Sequence, residues 1–183
     1  MKILGISGSL RTGSWNSSAL HAAAELLPDH HLGLAEIGDL PLMNQDLEKD
    51  GGFPAPVERL RQEIRGADAI LFATPEYNAS IPAPLKNAID WGSRGGNVWA
   101  GKPAAIIGVS PGVLGTARGQ YPLRQTLGVL NMHLLGQPEV FIGGATAKFQ
   151  DGKLTDEPTR AFLAKMLEAV SYTHLTLPTK RIV

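Results

Sequence analysis

The chain has 183 residues, 17 basic and 17 acidic, with no cysteine. That length suits one domain with a full core, and the balanced charge, free of long runs, argues against a nucleic-acid groove or a basic membrane-binding face. The lack of cysteine excludes a disulfide framework, thiolate metal ligands and a cysteine nucleophile, and with no membrane span and a first apolar run too short for a signal peptide the chain reads as cytoplasmic.

Taken in order, the chain alternates between strand and helix. Met1 to Ile6 is a short apolar run with the composition of a buried strand, and Ser17 to Leu27 is Ala/Leu-rich and helix-forming. His31 to Ile37 is a weaker strand candidate, followed by a loop rich in Gly, Asp, Pro and Asn from Gly38 to Pro56. Val57 to Arg65 has helical spacing, with Val57, Leu60 and Ile64 on one side. Ala67 to Thr74 is a strong buried strand, Pro75 to Pro84 a loop, and Leu85 to Trp91 opens a helix. Pro103 to Ser110 is again a buried strand. Thr116 to Asn131 reads as a helix despite Pro122, and Glu139 to Ile142 as a short fifth strand. Asp156 to Val170 is an amphipathic last helix with a good N-terminal signal in Asp-Glu-Pro. Ser171 to Val183 leaves that pattern and reads as an atypical tail, of foreign or frame-shifted origin or an extra edge strand. Strands joined by helical crossovers predict an α/β fold: a doubly wound, five-stranded parallel sheet between two helical layers.

Such sheets bind ligands beyond the carboxyl ends of their strands. The three most unusual loops here all follow strands: Ser9 to Asn16, Pro75 to Asn78, and Ser110 to Thr116. The first is Gly8-Ser9-Leu10-Arg11-Thr12-Gly13-Ser14-Trp15-Asn16, between a strand and a helix. Backbone N–H groups and the positive end of a helix dipole converge in that geometry, which collects anions. Ser9, Ser14 and Asn16 offer side-chain donors, and Arg11 a fixed charge able to grip a phosphate. The stretch lacks G-x-G-x-x-G, so the dinucleotide fingerprint is missing. Ser14-Trp15 stands where a P-loop needs Lys-Ser/Thr. A monophosphate site remains, beside the simpler reading of a serine-rich turn that only caps a helix.

Gly8 to Asn16, then Pro75-Glu76-Tyr77-Asn78, then Leu85-Lys86-Asn87-Ala88-Ile89-Asp90-Trp91 together resemble the NAD(P)H-dependent FMN reductases, a family with a flavodoxin-like fold that includes chromate and quinone reductases. The resemblance covers roughly residues 1–170, leaving 171–183 as the tail. It implies FMN as cofactor, with Ser9, Arg11, Ser14, Asn16 and Ser17 around its phosphate. Pro75, Glu76, Tyr77 and Asn78 would lie along the isoalloxazine edge, and Ser110, Gly112, Gly115 and Thr116 around the rest of the ring. Trp15 and Trp99 would flank the flavin, or serve as interface or core groups. NADPH or NADH would deliver hydride to flavin N5, and a quinone, flavin, azo compound or chromate would collect electrons, without a catalytic side chain. Main-chain N–H groups of Glu76, Tyr77 and Asn78 could face the reduced ring, with Gly112 and Gly115 allowing close approach. The resemblance also implies a homodimer or homotetramer, with flavin near an interface that includes the Asp90-Trp91 helix.

Two rivals come from other classes. Gly108-Val109-Ser110-Pro111-Gly112 matches the G-x-S-x-G nucleophile elbow, yet the residue after the serine must supply an N–H to the oxyanion hole and Pro111 has none. His133, placed in a predicted helix, and His174, in the tail, are poor triad partners. A flavodoxin-type carrier would bind FMN without nicotinamide turnover, but carriers of that type are usually acidic. His21, His30 and His31 lack carboxylate or cysteine partners at ligand spacing, so no metal is expected. Lys86 and Asp90, at i and i+4, read as a surface pair.

Overall fold

Alternation of apolar strand and amphipathic helix gives a three-layer architecture in the computed structural model, which describes residues 1–49 and 51–176. In chain order the main elements are β1 (Lys2–Ser7), α1 (Trp15–Glu25), β2 (His31–Leu34), α2 (Ala55–Gly66), β3 (Ala69–Ala73), α3 (Ala83–Ser93), β4 (Pro103–Val109) and α4 (Ala117–Val129). They are followed by β5 (His133–Leu134), β6 (Val140–Ile142), a single-turn α5 (Ala145–Lys148), a small hairpin of β7 (Phe149–Gln150) and β8 (Lys153–Leu154), and α6 (Glu157–Thr176). The main sheet runs β2-β1-β3-β4-β5, and every pairing in it is parallel.

The fifth position departs from expectation. It is two short strands: β5 pairs with the start of β4, at Pro103 and Ala104, and β6 with its end, from Ile107 to Val109. The sheet therefore has six strands in five positions. His133 stands in β5, not in a helix.

Alternation along the strands sorts the core into two halves. Ile3, Leu71, Ile107 and Ile142 face α1 and α6, where Leu20, Leu163 and Met166 are fully buried. Ile6, Ile70, Phe72 and Ile106 face α2, α3 and α4, packing on Leu60, Ile64, Leu85, Ile89 and Leu123. Trp91 and Trp99 belong to this second half and are buried completely. Trp91 thus sits inside the subunit and presents nothing to an interface. At the other end of the chain, α6 does not stop at Val170: it runs through Ser171, whose hydroxyl contacts His30 Nε2 at 3.3 Å, to Thr176. The rest of the predicted tail lies outside the described residues.

Among the described residues, one core residue carries a charge. Arg61 lies on the same face of α2 as Val57, Leu60 and Ile64 and is fully buried. Its guanidinium donates to the carbonyls of Trp91, Gly92, Arg94, Gly95 and Gly96, and lies over the Phe53 ring at 4.5 Å. The last carbonyls of a helix lack intrahelical partners and carry its negative dipole end, so this cation closes α3 and the turn beyond it. Burial, and then Arg65, pull its pKa below the usual guanidinium value, against Glu58 and Glu48. Arg61→Ala should lose about 3 kcal/mol or more in urea denaturation, because a charge-assisted set of bonds disappears and buried carbonyls are left unpaired. Arg61→Lys should recover only part of that, since an ammonium cannot reproduce the planar fork.

Candidate functional site

The carboxyl ends of β1, β3 and β4 lie side by side, with Ser7 opposite Ala73 and Ala73 opposite Ile107. Helices leave these strands toward opposite faces of the sheet, α1 toward one and α3 toward the other. That divergence opens the crevice in which doubly wound sheets hold ligands. Gly8 makes the convergence possible. Its N–H donates to Ala73 O at 2.8 Å, and a Cβ there would meet Pro82 Cγ at 2.8 Å and Pro75 Cδ at 3.1 Å.

The first loop ends at Ser14, the N-cap of α1, whose hydroxyl oxygen accepts from the Ser17 N–H at 3.3 Å. The cap starts the helix at Trp15, two residues before the apolar run suggested. Ser17 Oγ donates to Ser7 Oγ at 3.0 Å, tying the first turn to the end of β1. Asn16 is 4 % exposed and reaches across the sheet. Its amide nitrogen donates to Val109 O at 3.1 Å, and its oxygen accepts from Val109 N–H at 3.0 Å. Its side chain is a clamp between α1 and β4. Ser9, Arg11, Ser14, Trp15 and Asn16 line the cleft there, of about 140 Å³, together with Pro75, Glu76, Tyr77, Val109, Ser110 and Pro111. All three predicted loops therefore meet at one cleft.

In the second loop, Glu76 lines the cleft with its carboxylate held by α4. Its carboxylate accepts from Arg118 Nε at 2.7 Å and from the Gly119 N–H at 3.0 Å, capping the first turn of α4. Tyr77 and Ser80 exchange two backbone hydrogen bonds, of 3.3 and 3.1 Å, around Asn78 and Ala79, both at positive φ. The Tyr77 N–H is consumed by that turn, while its ring is 46 % exposed at the rim.

The third loop divides likewise. Ser110 lines the cleft, its hydroxyl donating to Gly112 O at 3.1 Å. Gly112 is open: a Cβ there would approach nothing nearer than Ser110 Oγ at 3.9 Å. Gly115, at φ 54°, packs on the end of β6, where a Cβ would lie 2.6 Å from the Phe141 carbonyl carbon. Thr116 is 1 % exposed, and its Oγ1 accepts from Gln120 Nε2 at 3.3 Å, so it supports the loop from within. The elbow reading fails geometrically as well as chemically. His133 is paired with Pro103, at the opposite end of β4 from Ser110.

A second recess, of about 520 Å³, adjoins the first on the β2 side and was not foreseen. It shares Ser9 and Arg11 with the cleft, and Ser17, His21 and the stretch from Leu34 to Gly38 complete it. The sequence signal for it was slight, since the residues after β2 form no motif.

Comparison with known proteins agrees with this geometry. The family model of the NADPH-dependent FMN reductases matches residues 1–147. An NAD(P)H-dependent FMN reductase of Pseudomonas aeruginosa is 52 % identical over 173 residues, covering 93 % of each chain. An NAD(P)H:quinone oxidoreductase of Solanum tuberosum is 45 % identical over 187 residues, covering 98 % of this chain and 96 % of that one. The solved structure of FerB, a flavoenzyme NAD(P)H:(acceptor) oxidoreductase from Paracoccus denitrificans, superposes with a TM-score of 0.87 at 40 % identity, covering 95 % of this chain and 97 % of that one. The chain belongs to the NADPH-dependent FMN reductases.

The fold is flavodoxin-like and the protein an oxidoreductase that uses FMN with NAD(P)H. The residues of this FMN reductase fit such a cofactor. Among the described residues, the Arg11 guanidinium and the Ser9 hydroxyl make no hydrogen bond, and Ser14 uses its hydroxyl oxygen but donates to nothing. Each is an N–H or O–H donor beside the positive end of an eleven-residue helix. Glu76, a carboxylate in the cleft wall, is occupied by Arg118 and Gly119. No group of three or more potential metal ligands occurs among the described residues, and no helix among them is long and apolar enough to cross a membrane.

The Asn16 clamp has a measurable consequence. Asn16→Ala leaves a buried N–H and a buried C=O of Val109 without partners, and should lower stability by about 2–4 kcal/mol in urea denaturation. Asn16→Asp should not restore it, because a carboxylate oxygen then faces the Val109 carbonyl.

Proposed function

We propose that this FMN reductase binds FMN with its phosphate in the cradle formed by Ser9, Arg11, Ser14, Ser17 and the first N–H groups of α1, and passes electrons from NAD(P)H to quinones and related small acceptors. The observation that carries this reading is the set of unpartnered donors at the α1 N-terminus, facing a cleft that two further loops complete. The relatives named above as FMN reductase and quinone oxidoreductase support the same chemistry. Bound FMN supplies the hydride-accepting centre, so the protein needs no acid, base or nucleophile of its own.

The chain's residues then have distinct tasks. Arg11 and the two serines neutralise and orient a dianion, and a phosphate with its three acceptor oxygens matches a set made wholly of donors. Pro75, Tyr77 and Asn78 border one side of the planar ring, and Ser110 and Gly112 the other. Gly112, with no side chain, lets the backbone approach closely. Asn16, Glu76, Gly115 and Thr116 also brace the loops, Asn16 and Glu76 from positions that line the cleft. With the Glu76 carboxylate held by Arg118 and the Gly119 N–H, negative charge gained on reduction meets dipoles and N–H groups.

The rim favours self-association. Val113 is 94 % exposed, Leu114 50 % and Leu10 55 %, apolar side chains on the site's first and third loops that a homodimer or homotetramer would cover. A reductase fed by NAD(P)H works where that dinucleotide is kept reduced, which favours the cytoplasm.

Two measurements test the reading. FMN-loaded protein under anaerobic NADPH or NADH should lose its oxidised flavin absorbance and regain it on adding benzoquinone. Flavin that stays oxidised would leave an electron carrier in place of a reductase. Arg11→Ala should weaken FMN about tenfold to a hundredfold, the worth of about 1.5–3 kcal/mol for a charge-assisted bond, with riboflavin nearly unaffected.

A further inference from the structure

The three tryptophans of the chain lie in two kinds of environment. Trp91 and Trp99 are fully buried, their indole N–H groups donating to Pro41 O at 2.8 Å and to Ile89 O at 3.0 Å. Trp15 is half-buried, packs its ring against the core shared by α1 and α6, and makes no hydrogen bond through its indole among the described residues. What it does touch is Arg11, whose guanidinium carbon lies 5.9 Å from the ring centroid. Arg11 is exposed and has no ion pair or hydrogen bond among the described residues, so the ring is the contact that holds it. Both residues line the cleft at the first turn of α1.

We infer that Trp15 is a positioning residue for the cofactor phosphate: it acts through Arg11, and not by flanking the flavin ring. The inference rests on the cradle reading above. An exposed arginine samples many rotamers, and an anion must restrict them before it gains the full bond. The indole limits them in advance. It occupies the first helical position after the Ser14 cap, and its ring is seated on the core, so the platform itself is fixed. A guanidinium over an aromatic face keeps its in-plane N–H groups available, because the attraction runs through the π-cloud. A carboxylate at the same place would hold Arg11 too, but would occupy those donors and cancel the charge that phosphate needs. The arrangement orders the cation without using it up.

The test is a pair of affinities measured on flavin-free full-length protein: FMN and riboflavin, for wild type, Trp15→Leu, Trp15→Phe, Arg11→Ala and the double variant Arg11→Ala/Trp15→Leu. Trp15→Leu should weaken FMN by about two- to fivefold, the range of an exposed cation–π contact, and leave riboflavin unchanged. Trp15→Phe should keep part of the preference. In the Arg11→Ala background, Trp15→Leu should have no further effect on FMN. Equal loss of both flavins in Trp15→Leu would mean direct ring contact or general packing and would overturn the inference. So would a loss that persists undiminished without Arg11. If Arg11→Ala leaves the ratio of FMN to riboflavin affinity at its wild-type value, the cradle itself is misplaced and the role of Trp15 falls with it. If Arg11→Ala removes the preference and Trp15→Leu does not reduce it, the cradle stands and only the role of Trp15 is wrong.

Discussion

The amide of Asn16, bonded to both backbone groups of Val109, is the contact on which the site depends. It joins residues 93 apart in the chain. One end of the bridge is the first turn of α1, where the anion cradle forms, and the other is the last residue of β4, where the third loop begins. An amide is suited to this task because it offers one donor and one acceptor on a single planar group. Both backbone groups are satisfied at the sheet's end, where strand pairing alone would leave them open. With the bridge in place, the β1–α1 loop and the β4–α4 loop cannot move independently, and the cleft between them has a defined width.

The polar groups around this clamp fall into two sets with different duties. Glu76, Asn16, Thr116 and Gln120 spend their hydrogen bonds on the protein, each fixing one loop to a neighbouring element. Ser9, Ser14 and Arg11 retain donors directed to the cleft. A site of this kind is organised before its ligand arrives, because the supporting bonds are complete without it. The groups left without partners there, the Arg11 guanidinium and the Ser9 and Ser14 hydroxyls, can all donate, and that favours an acceptor-rich anion.

Much of the fold was legible because its strongest signals are local. β3 and β4 are buried on both faces, so their sequences are unbroken apolar runs, and α2 shows its buried stripe at Val57, Leu60 and Ile64. The three loops were legible because glycine, serine and asparagine clustered directly after strands. Weaker elements escaped notice: β5 has two residues, α5 four, and the β7–β8 hairpin two on each side, too few to show a period. The bracing bonds of Asn16 and Glu76 were not legible for a different reason. Their residue types fit a ligand site as well as a brace, and the partner that decides lies far away in sequence. Arg61 was invisible because a cation on an amphipathic helix normally points to water. Nothing in its own segment announces the carbonyls that α3 and the following turn bring to it.

The divided fifth position bears on how this protein meets other chains. At one border of the sheet β2 has four residues, and at the other β5 and β6 offer two and three. Neither border presents a long, flat row of open backbone groups on which a foreign strand could align and extend. A nascent or partly unfolded copy finds little template there, which guards a chain with such apolar central strands against edge-to-edge aggregation. Ordered assembly is thereby steered to helix faces and loop rims, where side chains, not backbone, decide which partner fits.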